Sequence, residues 1–148
     1  EEERFSRVVR QETGSTSDDH HHDALQKGGR ISNLKAAVGT VLQIKPLLKG
    51  DPEGKIVCFA QVRGRKKSIE LMAEQYDRYV EHAECETIGI AHGDCPEDAE
   101  ALITLLNRNH PPKNIINACY EPMTGAHVGP GALALFFYGK KEFRQATK

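Results

Sequence analysis

Between Lys45 and Tyr138 the chain alternates short apolar runs with stretches of helical periodicity, and this limits the folds open to it. "KPLLKGDPEGKIVCFAQV" (45–62) reads as two short strands around a Gly/Asp/Pro turn. "ETIGIAHGD" (86–94), "KNIINACY" (113–120) and "ALALFFY" (132–138) read as three more. Helical patterns separate them. Ile69, Met72, Ala73, Tyr76 and Val80 share one helical face. Pro96 suits the first position of a further helix, and Glu97, Asp98 and Glu100 complement its dipole. That helix stops before Pro111 and Pro112. Upstream, Leu34, Ala37, Val38, Val41 and Leu42 form another apolar helical face, capped by Ser32 or Asn33 and ended by Pro46. Strands alternating with helices predict an α/β domain, with helices packed on a mixed or parallel sheet. In such sheets, sites gather at strand ends and in the glycine-rich turns there.

Residues 1–24 differ from the rest. "ETGSTSDDHHHDA" is polar with no period, so 1–24 reads as a linker or a poorly matched N-terminal segment. Phe5, Val8 and Val9 make at most a short helical patch. The start of the chain has no apolar h-region, so no secretory signal is expected. No apolar run approaches about 18 residues, so no membrane insertion is expected. The net charge of −1 offers no general attraction to nucleic acid. Cys58, Cys85, Cys95 and Cys119 contain no C-x-x-C pair, and most lie in or beside apolar runs. They read as free thiols in a reducing, cytoplasmic setting.

Four features bear on chemistry. In "KGGRIS" (27–32), Gly28 and Gly29 allow close backbone approach just before a helix start, and Arg30 adds a planar donor fork for a carboxylate or phosphate. The plainer alternative is a loop with a solvated arginine. In "GAHVGPGALALFF" (125–137), Gly125, Ala126 and Gly129 leave His127 sterically clear, immediately before an apolar strand. The alternative is a turn histidine bonded to backbone. "RGRKK" (63–67) places Arg63, Arg65, Lys66 and Lys67 at a helix start, against its dipole, which a partner surface would rationalise. A solvated helix start is the usual meaning. "HHH" (20–22) lacks zinc-enzyme spacing, so no metal site is expected. His92 reads as a surface turn residue, and His82 and His110 as helix-end residues. No nucleophile has an evident base near it in sequence, which favours binding over catalysis.

Two of these motifs carry a family resemblance. "LQKGGRISNLKAAVGTVLQIKPLL" resembles the start of the C-terminal domain of DegV-family proteins, the bacterial fatty-acid-binding proteins, with its Gly-Gly-Arg-Ile turn, small/apolar helix and Lys-Pro strand. "VRGRKK" is similar to that family's basic helix start, and "GAHVGPGALALFF" to its closing Gly-x-His-x-Gly-Pro-Gly-Ala signature. The resemblance runs from Leu25 to Tyr138 and assigns residues 25–148 to a C-terminal lipid-binding domain, the family's N-terminal domain being absent from this sequence. It implies one domain of a two-domain fold that holds one long-chain fatty acid between its domains. The acyl chain would lie in an apolar tunnel, walled by the helix 34–42 and the strand 132–137. The carboxylate would meet Arg30 and His127, with Gly28, Gly29, Ser32, Gly125, Ala126 and Gly129 around it. It further implies a non-catalytic protein without cofactor, which presents its ligand to a fatty acid kinase for phosphorylation. Arg63, Arg65, Lys66 and Lys67 would be a docking patch for an acidic kinase partner. The rival expectations are a dihydroxyacetone-kinase-like subunit with a substrate-binding histidine, and an interaction domain without ligand.

Overall fold

The computed structural model describes residues 5–10 and 44–145. Six strands form one sheet: β1 Phe5–Arg10, β2 Ile44–Gly50, β3 Ile56–Arg63, β4 Thr87–His92, β5 Asn114–Cys119 and β6 Leu133–Tyr138. Their spatial order is β3-β2-β1-β6-β4-β5. β4 and β5 are parallel and every other neighbouring pair is antiparallel, so the sheet is mixed. The helices among the described residues are α1 Arg65–Tyr79, α2 Pro96–Asn109, α3 Pro122–Val128 and α4 Glu142–Gln145. A 3₁₀ turn spans Ala83–Cys85. None of them is long and apolar enough to cross a membrane.

The periodicities explain the layers. α1 buries Ile69, Met72, Ala73 and Tyr76, and α2 buries Ala99, Leu102 and Leu106, each set on one stripe. These stripes meet Leu47, Ile88, Ile90, Leu133, Leu135 and Phe137 of the sheet in a single core, closed at one end by Phe143 of α4. Burying a large apolar side chain contributes about 1.5–3 kcal/mol. Tyr76 is fully buried edge-on to Phe137, with ring centroids 5.3 Å apart. Its hydroxyl donates to the His110 carbonyl at 2.9 Å, and burial pushes its phenol up to about 12.

Three expectations change. Residues 5–10, read as linker with a helical patch, form β1, paired to Leu47–Lys49 on one side and Leu133–Tyr138 on the other. The i, i+3, i+4 spacing of Phe5, Val8 and Val9 is overridden by two ready-made partner edges. The Gly125–Gly131 turn is instead helical as far as Val128. Cys58 is half-buried and Cys95 buried, but Cys85 and Cys119 are exposed; all four are free. Helix 34–42 and the HHH run lie outside the described residues. Pro46 lies near the start of β2, at the register position of Gln61 of β3.

Lys49 is 3 % exposed, set against the Phe59 and Phe143 rings, and donates to the Phe143 carbonyl at 2.5 Å. Burial pushes its ammonium below the usual lysine range. Between that lowered value and an unfolded value of about 10.4, the unfolded chain binds more protons, so stability rises with pH. The stability of the wild type relative to Lys49→Met is therefore expected to rise as pH climbs through that window. Urea unfolding at a series of pH values measures this, and a difference flat with pH contradicts it.

Candidate functional site

The parallel pair β4/β5 places two strand C-termini side by side, and the chain is drawn together there. The Tyr120 N–H donates to the His92 carbonyl at 2.8 Å. Past β5, the Glu121 carboxylate caps α3 and accepts from the backbone N–H of Met123 at 2.6 Å and of Thr124 at 2.9 Å. The Thr124 hydroxyl also bonds to it. That hydroxyl first, then the Thr124 N–H, holds the Glu121 carboxyl below the usual range, with His127 adding a smaller electrostatic pull. Pro122 occupies the first turn, where its missing N–H costs nothing.

His127 lies in the last turn of α3 and is exposed, as is Ala126. Gly125 rests against Tyr120. The Gly129 N–H closes the helix onto the Gly125 carbonyl at 2.9 Å. Gly129 and Gly131 both adopt φ +78°, left-handed backbone that favours glycine. Gly93, just past β4, grips this strap. Its N–H donates to the Ala132 carbonyl at 2.8 Å and its carbonyl accepts from Gly131 N–H at 2.6 Å.

One face of the sheet packs on α1 and α2. Alternation puts Gly89 and Ala91 of β4 on the other face, and register aligns them with Phe136 and Ala134 of β6 and with Ile116 and Ala118 of β5. Small residues make the middle of this face shallow. Phe136 packs over Gly89, and Ile116 is 63 % exposed. An apolar surface thus runs along the strands toward the ends where α3 carries an exposed imidazole. Such a surface suits an apolar chain, and the imidazole suits a polar head that accepts a hydrogen bond.

The expected site residues divide accordingly. Gly125, Ala126, His127 and Gly129 come together at the strand ends. Gly28, Gly29, Arg30 and Ser32 lie outside the described residues. Of the basic cluster, Arg63 ends β3 and Arg65 begins α1, after Gly64 at φ +92°. Arg65 is committed to Asp98 of α2, with Nε at 2.9 Å and Nη2 at 2.5 Å from Oδ2. Lys66 is 90 % exposed, 4.0 Å from the Glu70 carboxylate, and Lys67 is exposed. Among the described residues, no three His, Cys, Asp or Glu side chains are placed to hold a metal ion.

Sequence reasoning missed two residues. His92, expected at the surface, is 8 % exposed, and its Nδ1 accepts the Cys95 N–H at 3.3 Å. The period-two series Ile88, Ile90, His92 already puts it on the core side. The Glu121 cap was signalled by a carboxylate directly before a proline.

A family model described as "Uncharacterised protein, DegV family COG1307" matches residues 10–140. A DegV domain-containing protein of Clostridium perfringens is 40 % identical over 117 residues, covering 79 % of this chain and 40 % of that one. A crystal structure described as a fatty acid binding DegV family protein from Streptococcus agalactiae is 32 % identical. It covers 93 % of this chain and 46 % of that one at a TM-score of 0.72. A DegV family protein from Ruminococcus gnavus, solved with vaccenic acid, is 25 % identical, covers 90 % of this chain and 44 % of that one, and has a TM-score of 0.75. The chain spans about two fifths of the length of the curated relatives it matches. Its mixed α/β sheet is the fold of one domain of these two-domain proteins. The chain belongs to the DegV family.

Proposed function

We propose that this chain forms one wall of a long-chain fatty acid site and acts by binding, without catalysis and without a cofactor. The acyl chain lies along the Gly89, Ala91, Phe136 and Ile116 face, and the carboxylate meets His127 with Arg30. The observation that carries the reading is an apolar strand face, exposed at Ile116 and half-buried at Gly89, Ala91 and Phe136, leading to an exposed histidine at the strand ends. Two similar DegV structures, one described as fatty acid binding and one solved with vaccenic acid, support it. Each buried methylene contributes about 0.8 kcal/mol, so the tail carries most of the affinity and the head group fixes orientation. A carboxylate leaving water needs paired donors, which an arginine and an imidazole supply.

The finer part of the proposal is presentation of the bound acid to a fatty acid kinase, with docking at the β3–α1 junction. Arg63, Lys66 and Lys67 are exposed there, and the Arg65 fork serves the contact with α2.

Native mass spectrometry of the protein purified from a bacterial host is expected to show a bound acyl mass, and calorimetry to show binding of vaccenic acid. An empty protein that takes up no vaccenic acid contradicts the reading. With a kinase partner, K66E/K67E is expected to slow acyl phosphorylation and leave vaccenic acid affinity unchanged. An unchanged rate contradicts the docking assignment.

A further inference from the structure

We propose that His92 is a positioning residue for the His127 head-group site, acting through the β4–α2 turn and the glycine strap. This rests on the reading that His127 meets the ligand carboxylate.

The chain of contacts is continuous. The His92 Nδ1 accepts the N–H of Cys95, three residues on, so a neutral ring carries its proton on Nε2. The bond spans Gly93 and Asp94. Asp94 adopts φ +51°, a left-handed conformation that costs free energy for a residue with a Cβ. The histidine therefore holds a strained turn closed. That turn in turn grips the strap from two residues. Gly93 exchanges backbone hydrogen bonds with Gly131 and Ala132, and the Cys95 thiol donates to the Ala132 carbonyl at 3.4 Å. The strap's next bonds run from Ala132 N–H to the Gly129 carbonyl and from Gly129 N–H to the Gly125 carbonyl, which ends α3 two residues after His127. His92 also sits at the register position of Leu133 on β6 and Cys119 on β5, so it is fixed from both sides. Its place on the helix side of the sheet keeps it away from the apolar face. It acts on the ligand through His127 and not by touching it.

The test uses His92→Leu and His92→Asn in the 148-residue chain. Leucine fills the space without an acceptor, whereas asparagine returns an acceptor oxygen near the position of Nδ1. Loss of one buried hydrogen bond of this kind predicts roughly fivefold to tenfold faster amide exchange at Gly93 and Gly131 in His92→Leu. Exchange in α1 at Met72 and Ala73 should not change. The His127 imidazole resonances should shift in His92→Leu and return in His92→Asn. Vaccenic acid affinity should fall by a similar factor and recover with asparagine. Unchanged strap exchange and unchanged His127 resonances in His92→Leu overturn the proposal. A loosened strap and shifted resonances with unaltered acid affinity support the positioning and overturn the head-group role of His127. If His92→Leu does not fold, His92→Gln, whose acceptor is displaced by one bond, replaces it with the same readouts and outcomes.

Discussion

His127→Ala is expected to weaken vaccenic acid binding by roughly tenfold to a hundredfold, the range for a hydrogen bond to a charged group. The matching long-chain alcohol should lose less than about threefold, because a neutral hydroxyl gains less from an imidazole donor. The difference between the two ligands matters more than either loss, since it separates a head-group contact from general damage to the site. Arg30→Ala should show the same acid-selective loss. His127 stands in the last turn of a seven-residue helix, exposed, with nothing in the core depending on it. The variant should therefore melt at the wild-type temperature. Calorimetry with both ligands makes the comparison, and equal losses for acid and alcohol contradict a carboxylate role.

Much of the frame around that histidine was legible in the sequence. The stripe of Ile69, Met72, Ala73 and Tyr76 is the buried face of α1, and Pro96 opens α2 as its place before two acidic residues predicts. Strands β2 to β6 lie where their apolar runs stand. What could not be read depends on partners distant in sequence. Phe5–Arg10 carries no strong local signal, and its strand conformation comes from β2 and β6, which flank it. The glycines around His127 read as clearance for a ligand or as a turn. A glutamate cap, a proline at the first turn and the closing Gly129 bond make a short helix instead. The basic run read as one patch, but Arg65 is drawn into an ion pair with Asp98, 33 residues away. An exposed pair of that kind contributes about 1 kcal/mol or less, so its effect is to orient the arginine more than to hold the fold.

Gly93→Ala tests the frame itself. A Cβ built on Gly93 would stand 2.4 Å from the Gly129 carbonyl oxygen and 3.4 Å from its carbon. Both are backbone atoms, and the strap that carries them is tied back to Gly93 by two hydrogen bonds. No side chain can rotate to make room, so the strap must move and release those bonds. Overpacking of this kind costs about 1–3 kcal/mol, and each lost backbone bond adds about 1 kcal/mol. A destabilisation of roughly 3–5 kcal/mol is expected, with Tm lower by roughly 6–20 °C. Gly89→Ala, four residues earlier and inside β4, is the control. Its added Cβ meets Phe136 side-chain atoms at 3.5 Å, an ordinary contact, and no backbone. A strand prefers alanine to glycine for its lower chain entropy, so Gly89→Ala should fall within about 0.5 kcal/mol of wild type. The two glycines therefore separate two uses of one residue type. Gly89 keeps the apolar face shallow, and Gly93 lets two backbones touch where the strap meets the sheet. Urea unfolding of both variants measures the contrast, and equal stabilities would mean that the strap is not held against β4 as described.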